Sequence, residues 1–349
     1  MNDTILQEDM EQIFSSKLNW KKFADKIILI TGGNGFLPAY IVDFLMYLNQ
    51  EYLSEKCKVI ALIRNLEHAQ TRFRNYADNE MFILHHQDVS NEIIIQEKID
   101  FIIHAASPAS PKYYAIDPVG VSLPNILGTK NILDLAIKNN IESLLYFSSG
   151  EVYGELQDNI ISENNYGYLD PLDLRSCYAE SKRMAENLCV SYFHQYQIPI
   201  KIVRPFHTYG PGMKLDDGRV FADFVSNIVN NENIVLKSDG GAERVFCYLA
   251  DATIGFFTIL LHGINGEAYN LANPKEKTSI RKLAELLVTL FPDKKLTVKY
   301  DFKRDDNYMK SKVESITPDI TKIGKLGWKP ITSIKNGFKK TIRSYDETK

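Results

Sequence analysis

Cysteine is scarce in this chain: four residues in 349, at Cys57, Cys177, Cys189 and Cys247, scattered with no C-x-x-C pair. No histidines cluster beside them. Neither a disulfide scaffold nor a metal centre is therefore expected, and free thiols in a reducing cytoplasm are. Long apolar runs are missing too. The longest, such as Lys26–Thr31 and Phe101–Ala106, fall far short of the ~20 residues that cross a bilayer. The opening stretch MNDTILQEDMEQIF is acidic and lacks the basic-then-apolar order of a signal peptide. No excess of positive charge exists to draw in nucleic acid, because 41 Lys and Arg face 44 Asp and Glu for a net −3. Repeats and low-complexity segments are absent. What remains is a chain with 44% hydrophobic and 24% charged residues, the make-up of a protein with a packed core.

The pattern along the chain is an alternation. Short β-branched runs at 26–31, 58–63, 81–85, 101–105, 143–147 and 200–203 read as strands, and residues 38–48, 124–138 and 176–196 between them read as helices. Nearly continuous apolar strands separated by helices predict a parallel sheet covered on both faces, the doubly wound dinucleotide-binding architecture. Residues 1–22 read as an acidic, partly helical N-terminal extension, and 23–210 as the dinucleotide-binding domain. After Gly210-Pro211-Gly212 the rhythm loosens. Residues 211–349 are expected to form mainly a smaller α/β substrate lobe, with some chain crossing back to the sheet.

TGGNGFLP, residues 31–38, follows the first strand and opens a helix. Gly32 and Gly35 permit a tight turn and close approach of a pyrophosphate, with Asn34, Phe36 and Leu37 completing the loop. Pro38 occupies the third glycine position of the usual fingerprint. The second strand ends in Arg64, where an NAD-binding chain carries an acidic residue for the ribose hydroxyls; an arginine there is the usual partner of a 2′-phosphate. Arg72 and Arg74 either add to it or are solvated helix charges. Asp88-Val89 after the third strand and Ala105-Ala106-Ser107 after the fourth fit the walls of the cofactor site.

Tyr178 and Lys182 lie four residues apart in YAESK, on one face of a helix. A lysine ammonium and a nicotinamide cation near the phenol would lower its pKa from ~10 towards working pH. Such a phenolate can take a proton from a sugar hydroxyl while the cofactor takes the hydride. SSGEVYG, residues 148–154, follows the fifth strand and brings Ser149 and Glu151 to the same sheet edge.

With these segments in hand, the chain resembles the extended short-chain dehydrogenase/reductases of the nucleotide-sugar epimerase/dehydratase family, and within it most resembles the UDP-glucuronate decarboxylases. The resemblance rests on HAASPASPKYY (104–114), SSGEVYG, RSCYAESKRMAE (175–186), RPFHTYGPGMKLDDGRV (204–220) and RVFCYLAD (244–251), and covers most of residues 26–330. It implies a Rossmann-like fold and a bound NAD. It implies that Ser149 takes the active-site Ser/Thr role, Tyr178 is the acid/base, and Lys182 holds the nicotinamide ribose. Glu151 would be an additional acidic catalyst. Pro108, His207, Arg219 and Arg244 would contact a nucleotide-sugar substrate, a UDP-sugar. It implies also a homodimer built on 124–138 and 176–196, whose Ile126, Leu127, Ile132, Leu133 and Leu135 exceed one sheet-facing stripe. Recycling of the cofactor favours permanently held NAD, while Arg64 keeps NADP admissible. The chain departs from the family at Pro38, Arg64, His207 (usually asparagine), Gly212 (an arginine in the decarboxylases) and Gly150 (a serine there).

Members of this group oxidise a sugar hydroxyl, usually at C4, to a ketone. Loss of water across C5–C6 then needs adjacent Asp and Glu, and the Asp position here is Gly150. A 4-epimerase leaves Glu151 unexplained. Decarboxylation of the β-keto acid formed from a C5 carboxylate needs no leaving-group acid and fits Glu151 best. Epimerase, then 4,6-dehydratase, are the alternatives, and an inactive binding member of the fold is the alternative outside catalysis.

Overall fold

The computed structural model describes residues 3–301 and 315–345, so the parts of the C-terminal lobe at 302–314 and 346–349 lie outside it. Helix α1 (Asp3–Phe14) precedes β1 (Ile27–Thr31), α2 (Phe36–Glu51), β2 (Lys58–Ile63), α3 (Leu66–Arg72), β3 (Phe82–His86) and β4 (Phe101–His104). Then come α4 (Lys112–Ile116), α5 (Pro118–Leu123), a π turn at Pro124–Gly128, α6 (Thr129–Asn139), β5 (Ser143–Phe147) and the short β6 (Ile160–Ile161). Helix α7 (Ser176–Tyr196) leads to β7 (Ile200–Pro205), β8 (His207–Tyr209), α8 (Val220–Val229), β9 (Ile234–Leu236), β10 (Glu243–Tyr248), α9 (Leu249–His262) and β11 (Ala268–Leu271).

Seven strands form one parallel sheet in the order β11-β7-β5-β4-β1-β2-β3. Successive strand residues point to opposite faces, and each face has its own helical cover. Ile28, Ile30, Phe101, Ile103, Leu145 and Phe147 join the core under α2 and α9. Leu29, Ile102, Leu144 and Tyr146 join the core under α6 and α7. Both faces are thus dry, which is why the strands read as unbroken apolar runs. The strand order reverses between β1 and β4, and a cleft opens outside the carboxyl ends of the strands at that point.

The chain after β7 serves both lobes. β11 pairs with β7 at the edge of the large sheet, and β8 pairs with β10 in a separate three-stranded sheet. The C-terminal helix Ile334–Arg343 stacks Phe338 on Tyr209, centroids 3.9 Å apart and 12° from parallel. Helix α1, expected as a partly helical lead-in, is packed into this frame. Its Ile5, Met10 and Ile13 are buried, and its Asp9 is fully buried. Asp9 accepts hydrogen bonds from Tyr40 Oη at 2.5 Å, Tyr248 Oη at 2.6 Å and Lys340 Nζ at 2.9 Å.

Candidate active site

The cofactor end starts at Gly32, whose φ of +66° only glycine adopts without strain, and where a Cβ would come 2.8 Å from Ala106 Cα. Gly33, which the motif did not single out, packs so closely on β2 that a Cβ would lie 2.7 Å from Ala61 Cβ. It supplies the close loop–strand contact that the usual third glycine makes, so Pro38 can sit buried in the first turn of α2. Gly35 is the N-cap of α2 and has no side chain to cap it. Proline donates nothing at position 38, so the backbone N–H groups of Phe36 and Leu37 are the first-turn donors at the mouth of this 16-residue helix. Orphaned donors and the positive end of a helix dipole suit a pyrophosphate. The residues therefore fit a dinucleotide.

The walls follow from the strand ends. Thr31 Oγ1 accepts from the backbone of Ala105 at 3.2 Å and Ala106 at 3.1 Å, so its own proton goes to His104 Nδ1, 2.7 Å away. His104 Nε2 then donates to Thr129 Oγ1 at 3.1 Å. Burial holds this imidazole neutral, its pKa pushed down to about 3. Val89 packs against Gly128, and Asp88 Oδ1 accepts from Ser90 N at 2.8 Å. Arg72 is neither a cofactor ligand nor a solvated charge: it forms an ion pair with buried Asp43, with an Nη1–Oδ1 contact of 3.2 Å.

At the chemical end, β5 runs into Ser148 and Ser149, and Ser149 Oγ accepts from Glu151 N at 3.2 Å to cap a short turn. Helix α7 brings Tyr178 and Lys182 up beside it, both buried. Lys182 Nζ donates to Phe147 O at 2.6 Å and sits 5.0 Å from the Tyr146 ring and 5.8 Å from the Tyr178 ring. The Tyr178 ring stacks on Tyr114 at 5.3 Å and 14°. In the chain itself burial, rather than Lys182, dominates the phenol. Burial pushes Tyr178 up to about 12; the Ser149 hydroxyl opposes this, the Glu151 charge adds to it, and Arg219 and Ser107 oppose it more weakly. Burial likewise pushes Lys182 down to about 7, against the pull of Glu186. In low dielectric both charged forms are penalised, and the pair's mutual contact does not recover that cost.

Glu151 does not stand alone. Arg175 Nη1 lies 3.2 Å from Glu151 Oε2, and the buried Arg175 Nε has no hydrogen-bond partner. The sequence carried Arg175 only as the first letter of a matched segment, and Tyr114 as the last letter of another; nothing local showed that they meet Glu151 and Tyr178. Beside Glu151, a Cβ on Gly150 would come 2.7 Å from Phe206 Cε1. The place a dehydratase gives to its aspartate is filled by the Phe206 ring. Gly212 has φ +80°, a turn that an arginine would strain.

The second lobe closes the far wall. His207 on β8 lies between Phe221 and Phe246, at centroid distances of 6.1 and 5.9 Å. Burial and then the Arg244 and Arg219 charges push its pKa down to about 3, so it presents a neutral imidazole. Arg219 is ion-paired with Asp217 and lies 5.6 Å over the Phe221 ring. Gly32, Asn34, Gly35, Phe36, Leu37, Arg64, Asp88, Val89, Ala105, Ala106, Ser107, Pro108, Ser149, Glu151, Tyr178, Lys182, His207, Arg219 and Arg244 all line this one cleft.

With that geometry in place, the chain can be set beside known proteins. A model of the NAD dependent epimerase/dehydratase family matches residues 28–272. UDP-glucuronic acid decarboxylase 6 of Arabidopsis thaliana is 34% identical over 313 residues, covering 89% of this chain and 86% of that protein. UDP-glucuronic acid decarboxylase 1 of Danio rerio is 32% identical over 342 residues, covering 97% and 78%. Among solved structures, UDP-N-acetylglucosamine 4-epimerase from Methanobrevibacter ruminantium M1 matches with a TM-score of 0.80 at 23% identity, covering 93% of this chain and all of that one. UDP-glucuronic acid 4-epimerase from Bacillus cereus, in complex with UDP-glucuronic acid and NAD, matches with a TM-score of 0.77 at 22% identity and the same coverage. At those identities the structural matches speak for the fold.

Proposed function

Because the chain belongs to the NAD dependent epimerase/dehydratase family, we propose that it is a nucleotide-sugar decarboxylase that removes CO2 from UDP-glucuronate through a transient 4-keto sugar. The observation that carries this choice of reaction is the strand-end pair at 150 and 151: an arginine-held carboxylate with the neighbouring acid position filled by Phe206. A 4,6-dehydratase needs that second acid. A 4-epimerase, the second reading, has the fold in its favour but gives the Glu151–Arg175 pair no task. An inactive binding member would not need Ser149, Tyr178 and Lys182 together.

When bound, the dinucleotide supplies the hydride acceptor, the hydride donor for the return step and, in its oxidised form, a positive charge over the site. Gly32 through Leu37 would hold its pyrophosphate, and Asp88, Val89, Ala105 and Ala106 would wall it in. Lys182 would hold the nicotinamide ribose. Tyr178, on the same cleft wall as Ser149, takes the C4 hydroxyl proton and later returns it. Glu151, fixed by Arg175, serves the step after oxidation, when the C5–C6 bonding pair passes into the ring enolate as CO2 leaves and C5 is reprotonated. His207, Pro108, Arg219 and Arg244 seat the sugar and its diphosphate, the arginines by charge-assisted hydrogen bonds.

Mutation separates the two roles. Tyr178→Phe removes the proton acceptor of the first step, so cofactor reduction and all product formation should fall together by about 10²–10⁴-fold. Glu151→Gln should still reduce the cofactor and accumulate a 4-keto species. Stopped-flow absorbance of reduced nicotinamide, with product analysis, reads both. Normal turnover by Glu151→Gln would remove the support for decarboxylation over epimerisation.

The same proposal includes a homodimer and a cytoplasmic setting. The four cysteines are free, and among the described residues no helix is long and apolar enough to cross a membrane. Part of the sequence argument for the dimer falls away, because Ile132, Leu133 and Leu135 are buried within the chain's own core. Of the positions that argument named, Leu127 is exposed, and so are Leu123 on α5 and Met184 on α7, which it did not name.

A further inference from the structure

The adenosine end of the cleft carries cations that the sugar chemistry does not use. Arg64 follows β2, is exposed on the cleft wall, and has no ion-pair partner among the described residues. His68 on α3 faces the same space. Asn34 Nδ2 lies 3.1 Å from His68 Nδ1. An amide nitrogen there can only donate, so the ring accepts at Nδ1 and carries its proton on Nε2, as a donor for a ligand. His68 is fixed further by its backbone N–H, which donates to Asn65 Oδ1 at 2.9 Å. Lys214, which follows β8 in the second lobe, lines the cleft as well, and its charge acts on His68 strongly enough, after burial, to help lower that imidazole's pKa. Opposing carboxylates are few. Arg72 neutralises Asp43, Asp88 is turned to Ser90 N, and Glu67 lies outside the cleft wall.

A ribose diol is best served here by a carboxylate that accepts its hydroxyl protons, and the residue at that position offers only donors. A phosphate monoester carries about −1.5 to −2 charges at neutral pH and three acceptor oxygens, the complement of a guanidinium, an imidazole N–H and an ammonium. We propose that Arg64, His68 and Lys214 form a 2′-phosphate subsite, so that the chain binds NADP at least as tightly as NAD. The inference rests on the dinucleotide reading above and is independent of which sugar reacts.

Two binding measurements test it without turnover. In the first, the protein as purified is equilibrated with equimolar NAD and NADP, desalted and denatured, and the retained cofactor is identified by mass; NADP should equal or exceed NAD. In the second, calorimetric titration compares adenosine 2′,5′-bisphosphate with 5′-AMP, which differ only in the 2′-phosphate. The bisphosphate should bind about tenfold tighter or more, the scale of a charge-assisted contact. Arg64→Ser should erase that gain, and Lys214→Met should reduce it. Equal or weaker binding of the bisphosphate, with 5′-AMP bound, overturns the subsite and leaves the dinucleotide reading standing. Binding of neither nucleotide overturns both.

Discussion

Tyr178 and Lys182 show how far spacing informs at the scale of single residues. Four positions on a helix place both groups on one face, and the structure brings them to one wall of one cleft. Their protonation was not legible, because it depends on what covers them: the Tyr114 ring, the Tyr146 ring and the strand end at Phe147, all distant in sequence. Coverage pushes the phenol up in the chain itself and leaves a lysine pushed down to about 7. That depression has a consequence for stability. Between about pH 7 and the unfolded value of 10.5, the unfolded chain holds a proton on Lys182 that the folded chain does not, so the native state gains stability as pH rises through that window. Lys182→Met should remove this slope and raise the denaturation midpoint at pH 7, while abolishing activity. Urea unfolding at pH 7 and pH 9.5 measures both. A variant less stable than the parent at pH 7 would show that the ammonium is well compensated. Gly150 makes the complementary point: its absence of a side chain was legible, and the Phe206 ring that occupies the space was not.

Elements with strong local signals were found where the sequence put them. Helix α7 spans Ser176–Tyr196 as read, and six strands lie within two residues of their expected bounds. The seventh strand, Ala268–Leu271, escaped because four residues give too little alternation, and its pairing with β7 is a long-range event. The π turn at Pro124–Gly128 escaped because an apolar helical period runs through it. Helix α1 was legible as a helix but not as a bolt, since its partners Tyr40, Tyr248 and Lys340 lie on three separate elements. Asp9 is the shared acceptor of all three. Removing one partner of a buried charged contact costs about 3–5 kcal/mol, so Asp9→Ala should lower unfolding free energy by that order. Tyr40→Phe, which keeps the ring and the carboxylate, should cost about 1 kcal/mol. Chemical denaturation distinguishes them, and equal effects would mean that the node is held by packing alone.

At the scale of the whole molecule, the doubly wound sheet was legible because both of its faces are dry and six of its seven strands advertise it. The division of labour after β7 was legible only in outline, since β8, β10 and β11 interleave between two sheets. Assembly is the least legible property. A two-fold pairing through Leu123, Leu127 and Met184 predicts a mass of twice the 39.9 kDa chain by light scattering at micromolar concentration. A monomeric mass would end that idea. The central claim is the fate of the sugar carboxylate, and one measurement reaches it most directly: incubation of the purified protein with UDP-glucuronate and identification of the product by mass. The account predicts a nucleotide sugar lighter by one CO2. A product of unchanged mass, or one lighter by a molecule of water, would contradict it.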